Sequence, residues 1–127
     1  MVIERIAREL AGLLPLTIGE ATFADEILTI VGDGWAFSAL CPWRVVREGV
    51  LLYSWSDPAA VDRVWDLCGQ QVLAIRTQSS AMRGDPTFEL STGEHVEVFS
   101  DVASDPWVLH LPNSVYVGSP SDSDHTD

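Results

Sequence analysis

Glu94-His95-Val96-Glu97 sets an imidazole and a carboxylate two residues apart. On a strand that spacing puts both on one face, where they would grip a metal ion or poise a general base. Two ligands are too few for a metal centre, and no third can be named from the sequence. The plainer reading is a surface histidine beside a solvated glutamate. His110 alternates out of phase with Trp107, Leu109 and Leu111, so it points away from any core those three build. His95, Glu97 and His110 are the residues to consider if the chain holds a small-molecule pocket between its two halves.

Other chemistry has less to stand on. A serine nucleophile would need a G-x-S-x-G elbow or a neighbouring base, and the chain has no such elbow. The only cysteines, Cys41 and Cys68, form no CxxC and no Cys/His metal spacing. Cys41 precedes Pro42-Trp43 at a strand end, and Cys68 falls on the apolar side of a helix; both read as idle, buried thiols. Gly32-Asp33-Gly34 is followed by a strand, not by a helix whose N-terminus could receive phosphate, so it reads as a turn. The Asp and Ser residues near the C-terminus lack the spacing and closing glutamate of a calcium loop. His125 lies among them. The sequence therefore names no catalytic residue, cofactor or metal.

The elements that would position these residues must fit one domain of 127 residues, of which 46% are hydrophobic and 20% charged. Nineteen acidic residues against seven arginines give a net charge of −12, with no lysine. Such a field repels a phosphate backbone, and the arginines are scattered, so nucleic acid is not an expected partner. The charge reads either as solubility or as an acidic face for a basic protein. No apolar run reaches membrane-spanning length, and Glu4 and Glu9 alternate with Arg5 and Arg8 where a secretory leader would be basic. A cytoplasmic chain with reduced thiols is expected, with no membrane partner.

Ile3, Ile6, Ala7 and Leu10 have helical spacing, with Gly12 as a cap and Pro15 as a stop. Strands are read at Leu16–Ile18, Leu28–Ile30 and Trp35–Leu40, then a hairpin, Trp43–Arg47 and Val50–Trp55, about Glu48-Gly49. Asp57-Pro58 opens a second helix with Val61, Val64, Leu67 and Cys68 inward and Gly69 as its stop. Leu73-Ile75, Phe88-Leu90 and His95–Ser100 are strands, with a loop at Arg83–Pro86. Trp107–Leu111 and Ser114–Val117 make a last hairpin about Pro112-Asn113. From Gly118 to Asp127 the chain is polar and acidic, and a disordered tail is expected.

That order repeats. Leu10, Gly12, Leu16 and Ile18 match Leu67, Gly69, Leu73 and Ile75. Pro42-Trp43 falls on Pro106-Trp107, Glu48-Gly49 on Pro112-Asn113, and Leu51 and Tyr53 on Val115 and Val117. The reading is a single domain over residues 1–117 with a possible internal duplication, 1–57 and 58–117. Trp43 and Trp107 become core pillars or a contact between halves. Trp35, Trp55 and Trp65 have no aromatic counterpart; each belongs in the core, or on an acidic surface as an interface anchor.

The run from Trp43 through Leu67-x-Gly69 and Phe88-x-Leu90-x-x-Gly93 to Trp107-x-Leu109 resembles small bacterial proteins of high-GC genomes. No activity is established for them, so the resemblance implies a fold and no chemistry. By analogy, some small acidic bacterial proteins are immunity factors that bind and neutralise a toxin. The expected fold is α+β: two helices packed on an antiparallel sheet, as two related helix-plus-hairpins halves about a pseudo-twofold axis. The expected function is non-enzymatic protein binding, such as an immunity-type inhibitor of a basic partner. The alternatives are a small-molecule or enzymatic pocket between the halves, and a structural homodimer that buries the unpaired tryptophans; monomer and homodimer stay open.

Overall fold

The computed structural model describes residues 2–77, 85–99 and 106–118. The proposed tail beyond Gly118, with His125, and Arg83-Gly84 of the proposed loop lie outside the described residues. In chain order the elements are α1 (Val2–Leu10), β1 (Leu16–Thr17), β2 (Glu20–Ala24), β3 (Ile27–Gly32), β4 (Trp35–Ala39), β5 (Trp43–Arg47) and β6 (Val50–Ser54). There follow α2 (Ala60–Arg63), running on as a 3-10 turn (Val64–Leu67), then β7 (Gln71–Thr77), β8 (Pro86–Leu90), β9 (Glu94–Val98), β10 (Trp107–Leu111) and β11 (Ser114–Val117).

The α+β expectation is wrong. The described residues are mostly β: two antiparallel sheets, one ordered β1-β7-β8-β9-β5-β6 and the other β11-β10-β4-β3-β2, with only two short helices among them. The helices do not lie on a sheet face. Helix α1 packs against β7 of the first sheet, and its Arg5 and Glu9 reach Tyr116 on β11 of the second. Helix α2 and its 3-10 turn pack against β2 of the second sheet, and Arg63 reaches β6 of the first. Each helix thus closes one side of a sandwich, between the edge of one sheet and the edge of the other. The helical periodicity in the sequence reports that one stripe is buried; it cannot report that the stripe faces a seam between sheets.

Strand alternation builds the core. Trp43 and Val45, Val96 and Val98, and Phe88 and Leu90 point inward from the first sheet; Phe37 and Ala39, Leu28 and Ile30, and Trp107 and Leu109 do so from the second. Phe37 meets Phe88 across the gap at 4.6 Å between ring centroids, and Phe23 meets Trp43 at 5.1 Å. Ile3, Ile6 and Leu10 of α1 are fully buried, each contributing about 1.5–3 kcal/mol of apolar burial.

The two halves interleave. The first supplies the meander β2-β3-β4 to the second sheet and the hairpin β5-β6 to the first. The other half supplies the meander β7-β8-β9 to the first sheet and the hairpin β10-β11 to the second. Hydrogen bonds repeat with this exchange. The Leu40 N–H donates to the Pro106 carbonyl at 2.9 Å and the Phe99 N–H to the Pro42 carbonyl at 2.8 Å; likewise the Trp55 N–H reaches Trp43 and the Gly118 N–H reaches Trp107. Pro42-Trp43 and Pro106-Trp107 therefore occupy matching places. Leu51 matches Val115, but a bulge at Val45/Val46 slips the next pair, so Tyr53 matches Tyr116 and not Val117.

Glycine plays fewer roles than its spacing suggested. Gly69 adopts φ +86° and ends the 3-10 turn, whereas Gly12 has no left-handed conformation to contribute as a cap. Gly118 matters for space: a Cβ there would strike the Trp107 indole.

Candidate protein-interaction surface

His95 and Glu97 do share a face, the outer one of the six-stranded sheet. Two complete cross-strand rows define it, Ser54-Arg44-Glu97-Thr87-Arg76 and Leu51-Val46-His95-Glu89-Ala74. Arg44 Nε bonds Glu97 Oε1 at 2.5 Å and also lies over the Phe99 ring, while Arg76 Nε bonds Glu89 Oε2 at 2.6 Å. Both carboxylates flanking His95 are thus held by guanidinium groups, which leaves neither as a free base or ligand. His110 sits on the other sheet, exposed on its opposite outer face, so the three residues form no common pocket. Among the described residues no three His, Cys, Asp or Glu side chains gather to hold a metal.

The concave spots lie elsewhere. A groove of about 260 Å³ is lined by Leu13, Pro15, Thr17, Asp33, Trp35 and Pro112, and one of about 280 Å³ runs between α1 and β7 past Ala7, Leu14 and Ile75. Neither touches His95, Glu97 or His110. Both grooves are lined from both halves, which share one continuous core, but the residues read from the sequence as a pocket between the halves lie outside them.

The informative residues are tryptophans. Trp43 and Trp107 are buried; of the three unmatched tryptophans Trp35 is buried too, but Trp55 is 47% exposed and Trp65 53%. The reason lies in the phase of the second helix. Ala60, Val64 and Leu67 are buried and Cys68 packs partly buried against the core as expected, but Val61 is not inward, so Val61 and Trp65 turn outward together, four residues apart. Asp62 and Asp66 are exposed beside them at the same spacing. The segment opens as the Asp57 carboxylate accepts the Ala59 N–H at 2.9 Å, so Asp57-Pro58 turns the chain and the helix proper begins only at Ala60.

Two side chains pin this segment. Arg63 donates from Nη1 to the Leu52 carbonyl on edge strand β6 at 2.7 Å, and its guanidinium lies over the Tyr53 ring, 4.6 Å from the centroid. Gln70 Nε2 donates to the Asp66 carbonyl at 2.9 Å and to Glu94 Oε1 at 3.1 Å. Arg63 is therefore committed inward, and among the described residues no cation pairs with the Asp62 or Asp66 carboxylate. The negative field is felt below the surface: burial pushes the Tyr53 phenol far above its usual range, and Glu94 and Asp66 push it the same way.

The result is an indole and a valine, half exposed, rimmed by uncompensated acids. Sequence periodicity alone puts Trp65 next to Val64 and leaves its direction to the helix phase. The usable signal was its place in a run with an aspartate on either flank of the apolar positions, Asp62 and Asp66. No described helix is long and apolar enough to cross a membrane. No family model, curated protein or solved structure matches the chain.

Proposed function

We propose that the chain is a protein-binding module whose contact surface is the α2 segment, with Trp65 and Val61 as the apolar anchor and Asp62 and Asp66 as the rim. The observation that supports this is Trp65, 53% exposed on a segment anchored by Arg63 and Gln70, beside two acids that no described cation offsets. Large aromatics in such a setting are the residue type that dominates binding energy when a partner covers them. With a net charge of −12 the chain would steer a basic partner onto the site and gain on-rate from its field. An immunity-type inhibitor of a basic toxin is the most concrete version. Trp55 and Leu51, both exposed near β6, extend the apolar area available to such a partner.

The test is affinity capture from native lysate with three baits: wild type, Trp65→Ala, and Asp62→Asn with Asp66→Asn. A basic protein held by wild type in low salt should be lost from Trp65→Ala, a weakening of about 30-fold or more. It should also be retained poorly by the double asparagine variant. A protein captured equally by all three baits would place binding elsewhere and sink the reading.

A further inference from the structure

One corner of the molecule is built differently in its two halves. In each, the residue that opens the last meander strand follows a left-handed glycine and reaches back to the connection between helix and sheet. These residues are Glu94 after Gly93 on β9 and Trp35 after Gly34 on β4. In the second half the link is polar and closed: Gln70 Nε2 donates to Glu94 Oε1 at 3.1 Å, and the Thr92 hydroxyl donates to Gln70 Oε1 at 2.8 Å. In the first half the Trp35 Nε1–H donates to the Thr17 carbonyl at 3.2 Å, and the connection carries Pro15 where the other carries an amide side chain. This corner holds the groove of about 260 Å³ beside Leu13, Pro15, Trp35 and Pro112. The architecture can close such a corner with a polar network, so the apolar groove is particular to the first half.

The groove is a built feature. A Cβ on Gly32 would strike both the Trp35 indole and the Thr17 carbonyl, so the indole keeps its seat only because residue 32 has no side chain. Its polar groups are one-sided. Asp33 is the only ionisable side chain in the lining, and no cation among the described residues pairs with it. The same carboxylate borders a shallower hollow lined by Glu20 and by no base. The indole N–H is already spent on Thr17, which leaves the Thr17 hydroxyl as the one side-chain donor of the lining.

We infer that this groove is a binding site for a small organic cation, a protonated amine on a compact apolar body. Charge complementarity selects the sign. A carboxylate or phosphate ligand would meet Asp33 with no cation to offset it, on a chain whose net charge is −12. An ammonium group bonds the Asp33 carboxylate while the body it carries covers the two prolines, Leu13 and the indole, and a cation near the indole gains from the ring itself. The volume lies at the lower edge of small-molecule sites, which start near about 300 Å³, so the body is about the size of a single ring. Asp33 is exposed, so solvent screens the pair and the affinity is modest, with a Kd on the order of 1 mM for a minimal probe.

The test is a titration of the nitrogen-15-labelled full chain with phenethylamine and, separately, with 3-phenylpropionate, which carries the same kind of ring and the opposite charge. Ionic strength is held fixed, and the reporter is the Trp35 indole N–H, assigned by triple-resonance spectra. Phenethylamine should shift the Trp35 indole and the Gly34 amide saturably, whereas 3-phenylpropionate should leave both in place. Asp33→Asn, which keeps a turn-forming Asn-Gly pair, should weaken phenethylamine by about three- to fivefold. If that variant fails to fold, the two probes on wild type still decide the sign of the ligand's charge. Equal shifts by both probes would make the groove merely apolar. A phenethylamine response confined to the exposed Trp55 or Trp65 indoles, a Trp35 shift that never saturates, or an affinity unchanged in folded Asp33→Asn would each overturn the inference. None of these outcomes bears on whether a basic protein binds α2.

Discussion

Ser38 and Glu97 hold the same place in their two sheets. Each lies on the outer side of the last meander strand, with a threonine across from it on one side (Thr29, Thr87) and a hairpin residue on the other (Val108, Arg44). In one sheet that row carries an Arg–Glu ion pair; in the other it carries serine and valine. The neighbouring row differs in the same sense, with Glu89 and His95 on one face where Val31 and Ala36 stand on the other. Turned inward, matched positions are alike: Phe88 and Ile30, Val96 and Phe37, Val45 and Leu109 are all buried and apolar. The interior obeys one packing demand in both sheets. The exterior does not, and the ion-paired face demonstrates that this architecture tolerates charge at those positions. Neutrality on the five-stranded sheet is therefore not imposed by folding.

The matched strand orders, the exchanged hairpins and the repeated hydrogen bonds support one further reading: we infer that the halves 1–57 and 58–117 are copies of one unit. Each half completes the other's sheet and caps the other's side, so neither can bury its own apolar face. Expressed separately, residues 1–57 and 58–118 should each lack a cooperative thermal transition, and mixing them should restore one together with the β-sheet circular dichroism signal. This is the largest effect expected here, a complete loss of the folded state. A half that melts cooperatively as a monomer would break the symmetry argument at its root.

A smaller perturbation tests the comparison of the faces directly. Val108→Arg with Ser38→Glu writes the Arg44–Glu97 pair onto the neutral sheet. Exposed ion pairs contribute about 0–1 kcal/mol, so the melting temperature should move by only a few degrees in a thermal melt. The reverse exchange, Arg44→Val with Glu97→Ser, should likewise leave stability within about 1 kcal/mol, read from urea melts. A double variant of either kind that fails to fold would mean that the outer rows are not interchangeable and that the matching of the sheets is superficial.

Much of this was legible in the sequence, for definable reasons. Hairpins about Glu48-Gly49 and Pro112-Asn113 announce themselves through turn chemistry, and alternation correctly turned Trp43 and Trp107 inward and His110 outward. Pairing over distance was not legible. Nothing local to Trp43–Arg47 reveals that its second neighbour is β9 and not β4, because that choice is made by the whole core. The helices misled for a related reason: Ile3, Ile6 and Leu10 specify a buried stripe without specifying what buries it. At the proposed contact surface, reading Val61 in place of Ala60 as an inward position rotated the segment and hid Trp65. His95 and Glu97 were correctly set on one face, but Arg44, which occupies Glu97, arrives from a strand 53 residues away.

The two matched tyrosines give the finest test of how far the halves have diverged. Each has an arginine over its ring, Arg63 at Tyr53 and Arg5 at Tyr116, but their hydroxyls differ. The Tyr116 O–H donates to Glu9 Oε1 at 2.6 Å, whereas the buried Tyr53 hydroxyl has no hydrogen-bond partner among the described residues. A buried hydroxyl without a partner is a cost, so Tyr53→Phe should leave stability unchanged or raise it by up to about 1 kcal/mol, and Tyr116→Phe should lower it by about 1–2 kcal/mol. The alkaline limb adds a second readout. Both phenols titrate higher in the folded state than in the unfolded chain, Tyr53 because of burial and Tyr116 because of its bond to Glu9. Their contribution is complete below the unfolded value near pH 10 and is lost as pH rises beyond it, since the unfolded chain ionises first. Urea melts between pH 9 and 11 should show a shallower loss for Tyr53→Phe than for wild type, with the remaining slope carried by Tyr116. An unchanged slope in Tyr53→Phe would mean that its phenol reaches solvent, and with it that the core beneath α2 is more open than its counterpart beneath α1.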